Sequence, residues 1–189
     1  MAYKGKIITN PVNRQSIEFV TTSKDSNGKQ LEMIATWAPH SIKPLEHYHP
    51  RQHEKFSVVE GELTKLLNGK TCVLSQGQSV DIPAKAAHAM WNNSDKKAVV
   101  KWKVLPAMRT QYFLETGVGL AVDGKTGKNG MPDILQTSLL AQKFRKEFRI
   151  YKSPYLMQRI IFILLTPFAL LSGKKAVYKK YLDQGLLPR

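Results

Sequence analysis

The first 106 residues consist of short apolar or alternating runs separated by turn-forming residues. Runs of this length, rich in β-branched and aromatic residues and bounded by Gly, Asn, Ser or Pro, predict strands. The clearest is Ala98–Leu105, where Lys101 and Lys103 alternate with apolar side chains, as in a half-buried strand. Many short strands at close spacing predict an all-β sandwich or barrel. The predicted strands are 6–9, 16–22, 31–37, 46–49, 55–60, 62–67, 72–74, 79–82, 87–91 and 98–105.

Four residues with metal-binding side chains lie on these predicted strands or directly beside them. His47 and His49 are one residue apart, so in a strand their side chains point to the same side. Glu54 lies near the start of the next strand, which Gly61 closes with a turn, and His88 lies on a later strand. Imidazole nitrogens and a carboxylate oxygen are suitable ligands for first-row transition metals. The four side chains are therefore a candidate metal site.

The spacing of these residues resembles two sequence motifs of the cupin superfamily. The first motif is a His-x-His pair, three or four residues, Glu, six residues and Gly, and it is matched by His47, His49, Glu54 and Gly61. The second is Gly, five residues, Pro, x, Gly, two residues, His, three residues and Asn, and it is matched by Gly77, Pro83, His88 and Asn92. Because two separate motifs match together, the resemblance is specific.

Two positions depart from the motifs. Ser41 stands where the first motif opens with Gly, and Lys85 stands where the second has Gly after Pro. Both glycines serve turn geometry rather than metal binding. The departures therefore concern the shape of two loops and leave the four ligands in place.

The resemblance implies a mainly β fold, the cupin double-stranded β-helix or jelly-roll barrel, over residues 1–110, followed by a C-terminal α-helical extension over 111–189. It also implies one divalent transition metal, which is Fe, Mn, Ni, Co, Cu or Zn. The implied metal ligands are His47, His49, Glu54 and His88, and Glu54 is in addition a candidate catalytic proton acceptor. Strand parity selects four candidate substrate-pocket residues, which are Phe56, Val58, Met90 and Trp102.

Two classes of function remain open, because one fold hosts many chemistries. The first is a metal-dependent enzyme, dioxygenase-like or isomerase-like, that acts on a small oxygenated organic molecule. The second is a non-catalytic module that binds a small ligand and uses its helical tail for self-association or membrane docking. The resemblance to cupins implies a homodimer in either case.

Beyond residue 110 the apolar residues recur at helical spacing. One helix is predicted from Ile134 through Phe148, and a second over 155–171 after the helix-start pair Ser153-Pro154. Pro167 is expected to kink or divide the second helix, and Gly173 to end it. Its uncharged stretch, 160–171, has 12 residues, whereas crossing a bilayer takes about 20. We expect this apolar helix to be buried against the barrel or a partner subunit, with peripheral membrane contact as the alternative.

The net charge of +15 is concentrated near the C-terminus, where residues 134–189 contain eleven Lys or Arg and two acidic residues. Lysine supplies 22 of the 29 basic residues, which disfavours nucleic acid as a partner because arginine is the better bidentate phosphate ligand. A single cysteine, Cys72, excludes an internal disulfide and is predicted to be a small core residue. The N-terminal residues do not resemble a secretory signal, so a cytoplasmic location is expected.

Overall fold

Two antiparallel sheets form most of the molecule in a computed structural model that describes residues 1–152 and 154–183. The strands are β1 (Ile7–Asn10), β2 (Gln15–Thr21), β3 (Leu31–Trp37), β4 (His47–Tyr48), β5 (His53–Glu60), β6 (Glu62–Leu67), β7 (Lys70–Ser75), β8 (Ser79–Ile82), β9 (His88–Trp91), β10 (Ala98–Leu105) and β11 (Arg149–Ile150). The helices are α1 (Thr110–Val122), α2 (Ile134–Lys143), α3 (Tyr155–Leu171) and α4 (Lys179–Asp183).

The six-stranded sheet has the order β1-β2-β3-β10-β5-β8, and the five-stranded sheet has the order β11-β4-β9-β6-β7. Their inner faces share one hydrophobic core, to which Met33 and Val100 contribute from the first sheet and Leu63 and Met90 from the second. The mainly β fold with C-terminal helices is therefore confirmed. All ten predicted strands are present, and four of them have the predicted bounds: β3, β6, β8 and β10.

Three details differ from the sequence-based expectation. Cys72 is exposed rather than part of the core, because β7 is the outermost strand of its sheet and buries only Leu74. The helix predicted from Ile134 ends at Lys143, and the chain then forms the unpredicted strand β11. In α3, Pro167 lies inside one continuous helix and does not divide it.

The two residues that depart from the motifs, Lys85 and Ser41, stabilise their loops in different ways. Lys85 has φ +71°, the left-handed conformation that glycine adopts without strain, and its N–H donates to the His49 carbonyl at 2.8 Å. Ser41 accepts a hydrogen bond from the Asn92 N–H at 2.8 Å and so links the two motifs. Gly61 is required as glycine, because it has φ +76° and a Cβ there would overlap the Lys97 carbonyl.

The helices after β10 form a second layer with a core of its own. This core contains Leu120, Leu140, Phe144 and Tyr181. It is tied to the sheets by a buried ion pair, in which Lys6 Nζ lies 2.5 Å from Glu115 Oε1 on α1. Lys6 Nζ also donates to the Leu182 carbonyl at the end of the described chain.

Helix α3 has the predicted bounds and ends as expected at Gly173, which has φ +74°. It packs on α2 and buries only Gln158, Phe162 and Ala169. Most of the helix is therefore left uncovered by the described residues, and its burial against the barrel or a partner subunit stays a prediction. The predicted capping residue Ser153 lies outside them, as do residues 184–189.

None of the described helices has both the length and the apolar character that crossing a bilayer requires.

Gly119→Ala is expected to lower the free energy of unfolding by about 1 to 3 kcal/mol, the usual cost of overpacking a core. A Cβ on Gly119 would overlap the ring of Tyr181, which is 2% exposed and donates its hydroxyl hydrogen to Asp123. Gly117→Ala on the same helix is the matched control, since a Cβ there meets no atom within 4 Å. It should stabilise by up to about 1 kcal/mol through helix propensity. Urea unfolding measures both, and equal effects would contradict the packing described.

Candidate metal centre

The four predicted ligands come from both sheets and meet between them. His47 on β4 and His88 on β9 are opposite one another in the five-stranded sheet, and His49 directly follows β4. Glu54 lies on β5 of the six-stranded sheet, opposite Ile82 and Val104. All four side chains line one cavity.

Each histidine uses its Nδ1 atom to bond a backbone carbonyl. The acceptors are Leu45 O for His47 at 2.9 Å, Glu147 O for His49 at 2.5 Å and Ala86 O for His88 at 3.0 Å. A carbonyl can only accept, so Nδ1 carries the hydrogen in all three rings. The Nε2 atom of each neutral imidazole consequently carries a free lone pair, as in histidines that bind metals.

The Nε2 atoms of His49 and His88 converge on one oxygen of Glu54. Glu54 Oε2 lies 3.1 Å from His49 Nε2 and 2.9 Å from His88 Nε2. Both His49 Nε2 and Glu54 Oε2 are buried without a hydrogen-bond partner of suitable geometry. Acceptors that face each other at this distance repel unless a proton or a metal cation lies among them.

The distances fit a metal ion. Adjacent ligands on an ion with bonds of ~2.1 Å are about 3.0 to 3.4 Å apart; the separation of 3.1 Å from Glu54 Oε2 to His49 Nε2 lies in this range, and that of 2.9 Å to His88 Nε2 lies just below it. The ligand atoms of the three histidines lie within 4.8 Å of one another. The three histidines therefore form a group that suits a divalent transition metal, and Glu54 adjoins two of them as a candidate fourth ligand.

The charges at the site also favour a bound cation. Burial, together with His88 and His49, lowers the pKa of His47 to about 3, so this ring is neutral at pH 7. Burial opposes ionisation of Glu54, but His49 and His88 hold the pKa of its carboxyl well below the usual range. Burial likewise opposes a charge on His49, and the Glu54 carboxylate outweighs it and raises the pKa of that ring. A proton on His49 is thus the alternative to a metal, and metal binding should release it.

The second oxygen of Glu54 is held by an aromatic residue of the neighbouring strand. Trp102 Nε1 donates to Glu54 Oε1 at 3.0 Å. The Trp102 ring is in turn stacked on Phe56 at a centroid distance of 5.4 Å. This contact orients the carboxylate, so that Oε2 faces the histidines.

Residues 33–104, which carry these ligands, match the family model of the cupin domain, Cupin_2. The chain contains a cupin domain. The four candidate ligands and both matched motifs fall within that segment, whereas strands β1, β2 and β11 of the two sheets lie outside it.

Similar solved structures cover about half of the chain. They include KdgF from Halomonas sp., at 16% identity over 51% of this chain and 83% of that chain with a TM-score of 0.44. A predicted oxalate decarboxylase from Thermotoga maritima has 16% identity over 56% and 99% with a TM-score of 0.49. A sugar phosphate isomerase from Silicibacter pomeroyi has 20% identity over 56% and 67% with a TM-score of 0.43. No curated protein matches the sequence.

The segment that follows the cupin domain contributes directly to the candidate metal centre. Strand β11 pairs with β4, so that Ile150 lies opposite His47. Phe148 is stacked on the His47 ring at 4.6 Å, and the Glu147 carbonyl accepts from His49. Arg109 holds the Glu147 carboxylate at 2.8 Å. The extension therefore orients two of the four ligands.

A cavity of about 230 Å³ opens beside the ligands. Three of the four predicted pocket residues, Phe56, Met90 and Trp102, line it. The fourth, Val58, is buried in the hydrophobic core and does not line it. The chain after β10 supplies further lining residues, which are Thr110, Phe113, Leu114, Asn129, Gly130, Met131 and Phe148.

The other histidines and Asn92 lie outside the centre. His53 points to the opposite face from Glu54, is exposed, and lies 3.1 Å from Asp81. His40 is exposed and pairs with Asp95. The buried Asn92 amide donates to backbone carbonyls, including that of Lys96 at 2.6 Å, and so has a structural role in a turn.

Sequence reasoning missed the contribution of Phe148. Phe144 and Phe148 are four residues apart and fit a helical pattern, which concealed that α2 ends at Lys143. A strand of two residues, such as β11, leaves no periodic signal. The sequence therefore held no indication that this segment reaches the metal centre.

Proposed function

We propose that this protein is a metal-dependent enzyme that acts on a small oxygenated organic molecule, with one divalent transition metal held by His47, His49, Glu54 and His88. The observation that carries the proposal is the convergence of two imidazole lone pairs on a buried carboxylate oxygen. Such an arrangement needs a proton or a metal cation among the acceptors, and a metal ion would satisfy all of them at once.

The bound metal would supply a Lewis acid, or a redox centre, at the polar end of the cavity. The chain's own residues shape what can approach it. Trp102 and Phe148 restrain Glu54 and His47, and Glu54 is the buried carboxylate placed to accept a proton from a ligand beside it. The apolar lining, which includes Phe113 and Leu114, excludes water and so strengthens these electrostatic interactions.

The cavity also limits the substrate. Its volume is below the range of about 300 to 1,000 Å³ typical of sites for drug-sized ligands. None of the described lining residues is Lys or Arg. A phosphate or a second carboxylate would find no lysine or arginine among these lining residues, so the proposed substrate is neutral or singly charged, with an oxygen donor at one end and an apolar body.

Metal-loaded protein should convert at least one member of a panel of small ketones, enols and phenols. Product formation is followed by mass spectrometry, and oxygen consumption by electrode where the metal is redox-active. The same panel is titrated by calorimetry. Conversion that disappears when the metal is removed supports an enzyme of the isomerase-like or dioxygenase-like kind. Compounds that bind at the metal without being converted would contradict it and favour the non-catalytic binding module.

A further inference from the structure

Helix α3 exposes an apolar face that no described residue covers. Nine of the seventeen exposed large hydrophobic residues lie on this helix, including Leu164 at 65% and Leu171 at 86% exposure. At about 100° per residue, these nine positions occupy an arc of about 180°, and α2 covers most of the remainder. The nine residues, here called the α3 face, are Leu156, Met157, Ile160, Ile161, Ile163, Leu164, Phe168, Leu170 and Leu171.

The chain around the α3 face is predominantly basic, although Lys174 pairs with Asp133 and Lys180 with Asp123. Between Ile134 and Leu182 the sequence contains ten Lys or Arg and one acidic residue, Glu147. Glu147 is buried and paired with Arg109, so it contributes no negative charge to the surface. Arg159 is exposed at one edge of the α3 face, where its stem can lie along apolar surface and its guanidinium can reach a polar layer.

A small groove with three arginines lies beside the α3 face. Arg145, Arg149 and Arg159 line this groove between α2 and α3, together with apolar residues such as Phe162 and Ile163. Arg149 is already oriented, because its guanidinium lies 3.6 Å from the Tyr155 ring centroid and its Nε donates to the Arg145 carbonyl. Among the described residues, no carboxylate forms an ion pair with these arginines.

We propose that the α3 face docks on an anionic phospholipid membrane, where the groove of Arg145, Arg149 and Arg159 receives lipid phosphate. The helix would lie in the interface, with its apolar residues among the acyl chains and its basic flanks at the headgroups. Guanidinium groups are well suited to phosphate. The arginine groove lies beside the apolar helix. In a phospholipid the phosphate likewise lies next to the acyl chains, so both parts of the lipid could be contacted together.

Charge distinguishes this occupant from a second copy of the chain. A symmetric dimer through α3 would bring two basic surfaces together, which opposes association, whereas an anionic bilayer neutralises them. A helix that packs on one partner helix also needs an apolar stripe of only about 100°. The wider arc of the α3 face suits immersion in lipid.

Cosedimentation with vesicles tests the proposal. Full-length protein should sediment with vesicles of phosphatidylglycerol and phosphatidylcholine, bind pure phosphatidylcholine at least 10-fold more weakly, and lose affinity as salt is raised. Leu164→Glu and Leu171→Glu should each reduce partitioning at least 10-fold. Val73→Glu, which adds the same charge at a residue 52% exposed on β7, is the matched control and should bind like the wild type.

The arginine groove has its own prediction. Arg145→Gln with Arg159→Gln should weaken binding to anionic vesicles more than Lys65→Gln with Lys70→Gln, which removes the same charge from β6 and β7. Equal weakening would show a general charge effect and overturn the phosphate assignment. Wild-type protein that ignores anionic vesicles would overturn the membrane proposal itself. Sedimentation velocity of each variant without lipid reports the competing case, in which Leu164→Glu dissociates a dimer and vesicle binding is absent.

Discussion

His49→Ala and His88→Ala will each release most of the bound metal, whereas His53→Ala will retain it. Each of the first two removes an imidazole whose Nε2 lies close to Glu54 Oε2, at 3.1 and 2.9 Å. Loss of an outer partner of a ligand costs roughly 10- to 100-fold in metal affinity, and loss of the ligand itself should cost more. Competition with a metal-binding dye measures the three affinities.

His53 is the appropriate control because it adjoins Glu54 in sequence and lies outside the centre. Its side chain is exposed and lies 3.1 Å from Asp81 on the neighbouring strand β8. The substitution removes the same chemical group from the same strand region without opening the cavity. Equal loss of metal from all three variants would contradict the ligand assignment.

Lys6→Met will lower the free energy of unfolding by about 3 to 5 kcal/mol, the usual cost of breaking a buried ion pair. Glu115 is fully buried, and burial already raises the pKa of its carboxyl. Without Lys6 the carboxyl must be buried without its main cation or take up a proton, and both cost free energy. At about 2 to 4 °C per kcal/mol for a chain of this size, the melting temperature should fall by roughly 10 °C.

Two controls separate this effect from loss of charge alone. Lys97→Met breaks an exposed pair, in which Lys97 Nζ lies 3.2 Å from Glu60 Oε2, and should cost at most about 1 kcal/mol. Lys6→Met combined with Glu115→Leu removes both buried charges and should recover much of the lost stability. If Lys6→Met and Lys97→Met shift the melting temperature equally, the buried pair does not hold the helical layer to the sheets as described.

The sequence allowed prediction of the strands and of which ligands meet, for two physical reasons. Strand side chains alternate with a period of two, so apolar and polar residues reveal each strand locally. The candidate ligands lie in two short segments, from His47 to Gly61 and from Gly77 to Asn92, and the spacings within each segment match one motif. The structure brings the Nε2 atoms of His49 and His88 to within 3.1 Å of Glu54 Oε2.

What could not be predicted depends on contacts between distant parts of the chain. His49 and the Glu147 carbonyl that orients it are separated by 98 positions, and no local period reports such a contact. The exposure of Cys72 follows from the position of β7 at a sheet edge, which requires the strand order. The apolar composition of α3 indicates that the helix packs against another surface. Only the structure shows that α2 covers one side of it.

The metal content of protein purified without a histidine tag and without added metal tests the central claim most directly. Elemental mass spectrometry should find about one iron, manganese, nickel, cobalt, copper or zinc ion per chain, since His47, His49, Glu54 and His88 form a ligand set that suits such ions. Protein that contains no metal, and takes up none of these ions on incubation, would contradict the account.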